Sequence, residues 1–183
     1  VDRRASFEAL YAVHAPAVEA YVLRRADSSC AEDAVAEVFI VCWRRLHEIP
    51  ADPLPWLLGV ARRVLSTQRR SERRRQALDV RLAEVADGPA QVEPSMADGV
   101  LARALSSLSD ADRELLLLIA WEELSPGQAA TVLELKPQTA RMRLMRARRR
   151  LSQALAREES SSRGCGPELV DVSPGPTRIG GAR

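Results

Sequence analysis

The chain has 183 residues, 46% of them hydrophobic and 28% charged, which is enough for one ordinary domain or two small ones. No apolar run approaches the roughly 20 residues needed to span a bilayer, so membrane insertion is not expected. The formal net charge of +2 hides a strong segregation: residues 61–75 carry seven arginines against Glu72 alone, and residues 136–157 carry eight basic groups and no acid.

Every other stretch is net acidic, so two concentrated basic blocks sit in an otherwise acidic protein. All but one of the 27 basic residues are arginine, whose fork suits phosphate oxygens and base edges. Three scattered cysteines, Cys30, Cys42 and Cys165, fit a reducing cytoplasm better than a disulfide framework. No secretory signal is expected, and Val1 in place of Met fits a trimmed start or an alternative start codon.

Apolar spacing predicts helices throughout and no alternating strand. The first helix is expected over 7–25, with Pro16 marking a break or a new first turn. A second is expected over 31–49, after a start signal at Ser28-Ser29 and ending before Pro50. Pro50, Pro53 and Pro55 fence off a loop, and a third helix over 56–75 starts just after a proline. Residues 76–98, with Gly88-Pro89 and Pro94, read as an acidic linker. Four helices follow, at about 98–107, 110–122, 126–134 and 137–155. The Ser-, Gly- and Pro-rich end reads as a disordered tail in which Leu169, Val170 and Val172 could form a short docking motif. The expected fold is all-α: two small helical domains (1–76 and 98–156) joined by a flexible linker (77–97), the second a four-helix domain with a helix-turn-helix, then a tail (157–183).

The helix-turn-helix reading rests on local chemistry. Ser125 can cap, Pro126 needs no donor at the first position, and Gln128 stands where a capping box wants it. Leu135, Lys136 and Pro137 then separate this short helix from a long basic one, the arrangement that places a second helix in a major groove. At about 100° per residue, Ala140, Leu144, Ala147, Leu151, Ala154 and Leu155 form one buried stripe. Gln138, Met142, Met145 and Arg149 lie opposite, flanked by Arg141 and Arg146. Gln138, Arg141 and Met142 are thus placed for base edges, and Arg143, Arg146, Arg148, Arg149 and Arg150 for phosphates. A purely structural exposed helix would normally avoid this many unbalanced cations.

In the first block, Val35, Val38, Phe39, Cys42 and Leu46 make a core stripe, and Asp33, Glu37, Ile40 and Arg44 lie on the far side. An exposed isoleucine between two carboxylates and an arginine suits a partner surface. Over 56–75, Trp56, Leu57, Val60, Ala61, Val64 and Leu65 form the apolar half, and Arg62, Arg63, Ser66, Arg69 and Arg70 the other. Cations beside aromatics are what an unpaired nucleic-acid strand requires, although Phe7, Phe39 and Trp43 are expected in the core.

These residues together resemble a known family. "AEDAVAEVFIVCWRRL", "PWLLGVARRVLSTQRRSERRR" and "LSSLSDADRELLLLIAWEELSPGQAATVLELKPQTARMRLMRARRRL" are similar to the second and fourth conserved regions of extracytoplasmic-function (ECF) sigma factors, the small promoter-recognition subunits of bacterial RNA polymerase. The resemblance covers about residues 5–156. It implies that Asp33, Glu37, Ile40 and Arg44 grip core RNA polymerase. Trp56, Arg62, Arg63, Ser66, Arg69 and Arg70 would take the unpaired minus-ten strand. Lys136, Gln138, Thr139, Arg141, Met142, Arg143 and Arg146 would contact the minus-thirty-five element of promoter DNA. An anti-sigma factor is implied as a further partner, and the linker's acid would keep duplex out of the active-site cleft. The sequence departs from the family at Ala36 (commonly Gln), at Ala61-Arg62-Arg63 (commonly Ala-Arg-Asn), and near Ser66-Thr67, where an aspartate is common. Glu134 and Lys136 replace the usual glycine and serine of the turn, so a looser turn is expected.

Two other readings of the residues differ in kind. A stand-alone helix-turn-helix regulator would use the second block and leave the first unexplained. An enzyme has little to work with, since His14 and His47 are the only histidines and no nucleophile motif or phosphate loop occurs. No cofactor or metal is expected: Cys30, Cys42 and His47 lack paired metal-ligand spacing, and Cys42 falls on the core stripe.

Overall fold

The computed structural model describes residues 2–26, 28–82 and 99–163, and among these the regular structure is helical. Helix α1 (Arg3–Leu23) opens at Asp2, whose side chain accepts the Arg4 backbone N–H at 3.0 Å. It runs through Pro16 without the expected break. Proline leaves the Ala12 carbonyl without its usual donor, but Ala12 and Pro16 are both exposed, so solvent can serve that carbonyl. Val18, Tyr21 and Val22 bury the other face.

Helix α2 (Ser28–Arg44) stops short of the expected 49. A 3-10 turn at Leu46–Glu48 follows, and Ile49 is extended (φ −69°, ψ 126°), as the residue before a proline prefers. Helix α3 (Pro53–Leu82) is longer than expected at both ends. Pro53 and Pro55 lie in its first turn, where a missing N–H is harmless, so the proline loop contracts to the residues before Pro53. At the other end α3 takes in residues 77–82 of the expected linker, while residues 83–98, with Gly88-Pro89 and Pro94, lie outside the described residues.

The second half contains α4 (Val100–Ser106), α5 (Asp110–Ala120), α6 (Pro126–Val132) and α7 (Pro137–Arg163). Ser109 caps α5 by accepting the Asp112 N–H. Helix α7 continues into the expected tail, and Arg103 Nε donates to Glu158 Oε2 at 2.6 Å, tying it back to α4. Residues 164–183, including Cys165, Leu169, Val170 and Val172, lie outside the described residues.

The two helical groups are not apart. Val18, Tyr21 and Val22 of α1, Val38, Phe39 and Cys42 of α2, and Leu57, Leu58 and Val64 of α3 join Leu115, Leu118, Ala129, Val132 and Leu144 in one apolar core. Gly59 lets α3 lie against α6: a Cβ there would sit 3.7 Å from Val132 Cα. Burial pushes the Cys42 thiol up to about 11, the behaviour of a small core hydrophobe.

Candidate nucleic-acid interfaces

The helix-turn-helix is built by two caps. Ser125 Oγ accepts the Gln128 N–H at 3.2 Å, and Gln128 Oε1 accepts the Ser125 N–H at 2.8 Å, completing the capping box. At the other end of α6, Leu135 N–H returns to Ala130 O (2.9 Å) and Glu134 N–H to Thr131 O (3.2 Å), the bond pair of a Schellman motif. Its pivot is Glu134 at φ 56°, a left-handed conformation that normally goes to glycine. The turn is therefore tight despite the glutamate, which corrects the expectation of a looser one. Pro137 is the first residue of α7 rather than part of the turn.

Ala140, Leu144 and Ala147 bury the inner stripe of α7, with Leu151, Ala154 and Leu155 half-buried below them. Lys136, Gln138, Thr139, Arg141, Met142 and Arg146 are exposed, with Met142 at 45%, and Arg143 is half-buried. One arginine has a structural use as well. Arg150 is ion-paired through Nη1 to Asp112, a carboxylate only 3% exposed at the start of α5, so it closes the domain while most of its side chain stays exposed.

On α2, Asp33, Glu37, Ile40 and Arg44 are all exposed, Ile40 to 50%. Trp43 is 39% exposed and not in the core as expected, because Phe7 and Phe39 already fill the α1–α2 seam. Its ring meets Phe7 edge-on at 5.2 Å, and Arg3 lies over it at 4.8 Å. Tyr11 is also partly exposed and packs on Phe39, so an aromatic–aliphatic patch borders the two carboxylates.

On α3, Trp56 is half-buried, and Arg62, Arg63, Ser66, Arg69 and Arg70 are exposed. Two of these arginines have protein partners. Arg69 Nη2 donates to the Arg25 carbonyl at 2.6 Å, and Arg63 donates to Glu134 Oε1 at 2.6 Å across the boundary between the helical groups.

Sequence reasoning missed the larger charge cluster at this boundary. Arg25, its side chain 8% exposed, donates from Nε to Glu114 (3.1 Å to Oε2) and from Nη1 to Glu122 Oε1 (3.0 Å). Arg24 pairs with the other Glu122 oxygen, and Tyr21 Oη donates to Glu114 at 2.9 Å. Burial, reinforced by Glu114, holds the Tyr21 phenol well above its ordinary 10.0, so it stays a donor at neutral pH. Burial alone would lower Arg25, but Glu114, Tyr21 and Glu122 outweigh it and carry the guanidinium above its ordinary value. The sequence signal was the Arg24-Arg25 pair set against the acidic excess of 99–135, but sequence alone does not match such charges to each other.

A helix-turn-helix with an exposed arginine face, joined to a second basic, aromatic-edged helical unit, is the architecture of a DNA-binding protein. Family sequence models bear this out: residues 10–75 match Sigma-70 region 2, and residues 98–151 match Sigma-70, region 4. The chain is 32% identical to the ECF RNA polymerase sigma factor SigL of Mycobacterium tuberculosis over 149 residues, 76% of this chain and 83% of the relative. It is also 32% identical over 155 residues to the "Probable RNA polymerase sigma factor RfaY" of Xanthomonas campestris, covering 79% of this chain but only 39% of that protein's length. Among solved structures, sigma factor RpoE in complex with the anti-sigma factor NepR from Bartonella quintana superposes with a TM-score of 0.59 at 26% identity, over 82% of this chain and 96% of that one. CnrH in complex with the cytosolic domain of CnrY gives 0.54 at 27%, over 82% and 87%. The chain belongs to the ECF RNA polymerase sigma factors. Among the described residues, no helix is long and apolar enough to cross a membrane.

Proposed function

We propose that this sigma factor binds core RNA polymerase through the α2 face carrying Asp33, Glu37, Ile40 and Arg44, with Trp43 and Tyr11 adding apolar area at its edge. In this reading Trp56, Arg62, Arg63, Ser66, Arg69 and Arg70 hold the unpaired minus-ten strand. Lys136, Gln138, Thr139, Arg141, Met142, Arg143 and Arg146 engage the minus-thirty-five duplex. Opening a base pair costs a few kcal/mol per base, which a small protein meets by receiving displaced bases on a basic, aromatic-edged surface while polymerase supplies the rest. The observation that carries the reading is the presence of two separate arginine surfaces together with an exposed isoleucine between carboxylates.

The working unit is a region 2-like domain, an acidic connector and a region 4-like domain acting on DNA in the cytoplasm, as a transcription initiation factor and not an enzyme. The solved relative RpoE is in complex with the anti-sigma factor NepR, and an anti-sigma factor is proposed as a partner here as well. The test is transcription in vitro with core polymerase on a library of genomic fragments. Wild type should select a discrete promoter set, and Asp33→Arg with Glu37→Arg should lose core binding and that selection together. Core binding by the double variant at the wild-type level would refute the α2 interface.

A further inference from the structure

Among the described residues, polar ties at Glu114, Glu122, Glu134 and Gln128, with an apolar contact, join the two domains. Glu114 and Glu122 of the second domain receive Arg25 and Arg24 of the first, and Glu134 receives Arg63. Gln128 Nε2 donates to Asp52 Oδ2 at 2.9 Å, and Gly59 abuts Val132. The third tie is informative about function. Glu134 takes the left-handed turn position at a steric cost, and its carboxylate sits on a guanidinium proposed to hold a strand phosphate. A carboxylate oxygen accepting from both Nε and an Nη of arginine occupies the place a phosphate oxygen would take.

We propose that the free protein is latched shut by this acidic set, with Glu134 standing in for nucleic acid on Arg63, so that domain closure and capture of an unpaired strand exclude each other. The proposal rests on the strand-binding reading of Arg63 given under the proposed function. The recognition face of α7 stays uncovered, since Gln138, Arg141 and Met142 are exposed in the closed form. The latch therefore gates the melted-strand surface and leaves the duplex surface open.

The chemistry of the boundary suits a device that must release. Removing Arg25 and Glu122 from water carries a desolvation penalty that offsets much of their mutual attraction. Arg24 Nε and Arg25 Nη2 are buried without a protein acceptor, which weakens closure further. Opening rehydrates all these groups, so the ion pairs and the apolar contact of α3 on α6 together hold the closed form only marginally. A partner that covers that apolar seam, or that competes for Arg63, shifts the balance.

The test uses the full chain, free in solution, in two measurements: small-angle X-ray scattering, and affinity for a short random-sequence single-stranded DNA. Wild type should be compact and bind weakly. Glu114→Arg with Glu122→Arg should expand, and so should Gly59→Trp, a wedge that alters no charge. Each should bind the strand about tenfold tighter, as expected if roughly nine molecules in ten are closed. Gly59→Ala should stay compact, because its methyl reaches only ordinary contact distance from Val132. The exchange Arg63→Glu with Glu134→Arg should also remain compact while losing strand affinity. An extended wild type, or a wedge and a charge reversal that leave the radius of gyration unchanged, would overturn the latch. Expansion with no gain in strand binding would retain the closure and reject the strand-binding role of Arg63, independently of any result with polymerase.

Discussion

Arg149 and Arg150 are chain neighbours on the most basic helix, yet they have different tasks. Arg149 is exposed opposite the buried stripe, whereas Arg150 neutralises Asp112, one of the few carboxylates held inside the protein. Arg150→Ala should leave that carboxylate buried and unpaired, lowering the stability of the second domain by about 1–3 kcal/mol in a denaturant titration. Arg149→Ala should leave stability within about 0.5 kcal/mol of wild type. The exposed faces of α2, α3 and α7 could be read from the sequence because helical periodicity fixes which side chains share a face. The fate of Arg150 could not, because its partner lies 38 residues away. The same holds for Trp43, which periodicity assigns to the core side but which the bulk of Phe7 and Phe39 leaves at the rim.

At the scale of elements, α6 was the most legible. Its capping box, its proline entry and its distance from the next proline are all local chemistry, and the structure reproduces them bond for bond. Helix ends in charged sequence were the least legible. Both α3 and α7 run on past the ends expected from the sequence, to Leu82 and Arg163. The tight exit from α6 was also unreadable, since a glutamate at a left-handed position goes against local preference. Replacing it isolates that conflict. Glu134→Gly should stabilise the second domain by about 1 kcal/mol through relief of backbone crowding. It should also release Arg63, so calorimetry would show a firmer helix-turn-helix in a protein whose two halves are more loosely joined.

At the scale of the whole molecule, charge arrangement governs how DNA is bound. If α7 neutralises about four to six phosphates, the logarithm of duplex affinity should fall against the logarithm of salt with a slope of roughly −4 to −5. Arg146→Ala should reduce that slope by about 1, whereas Gln138→Ala should weaken binding in a sequence-dependent way and leave the slope alone. Both follow from an affinity titration at several salt concentrations. A flat dependence would exclude phosphate contact by this helix. The segregation of charge was fully visible in the sequence. The mutual packing of the halves was not, because it arises from apolar faces that each domain could equally have used for its own interior.

Leu57, Leu58, Leu118 and Val132 contribute to one interior, although family models recognise two separate stretches of chain. Severing the backbone between those stretches would leave each piece with a raw oily flank turned to water. Such pieces should be sticky alone and, because closure within one chain is only about nine in ten, should rejoin weakly when mixed, so that the tether supplies most of the closure.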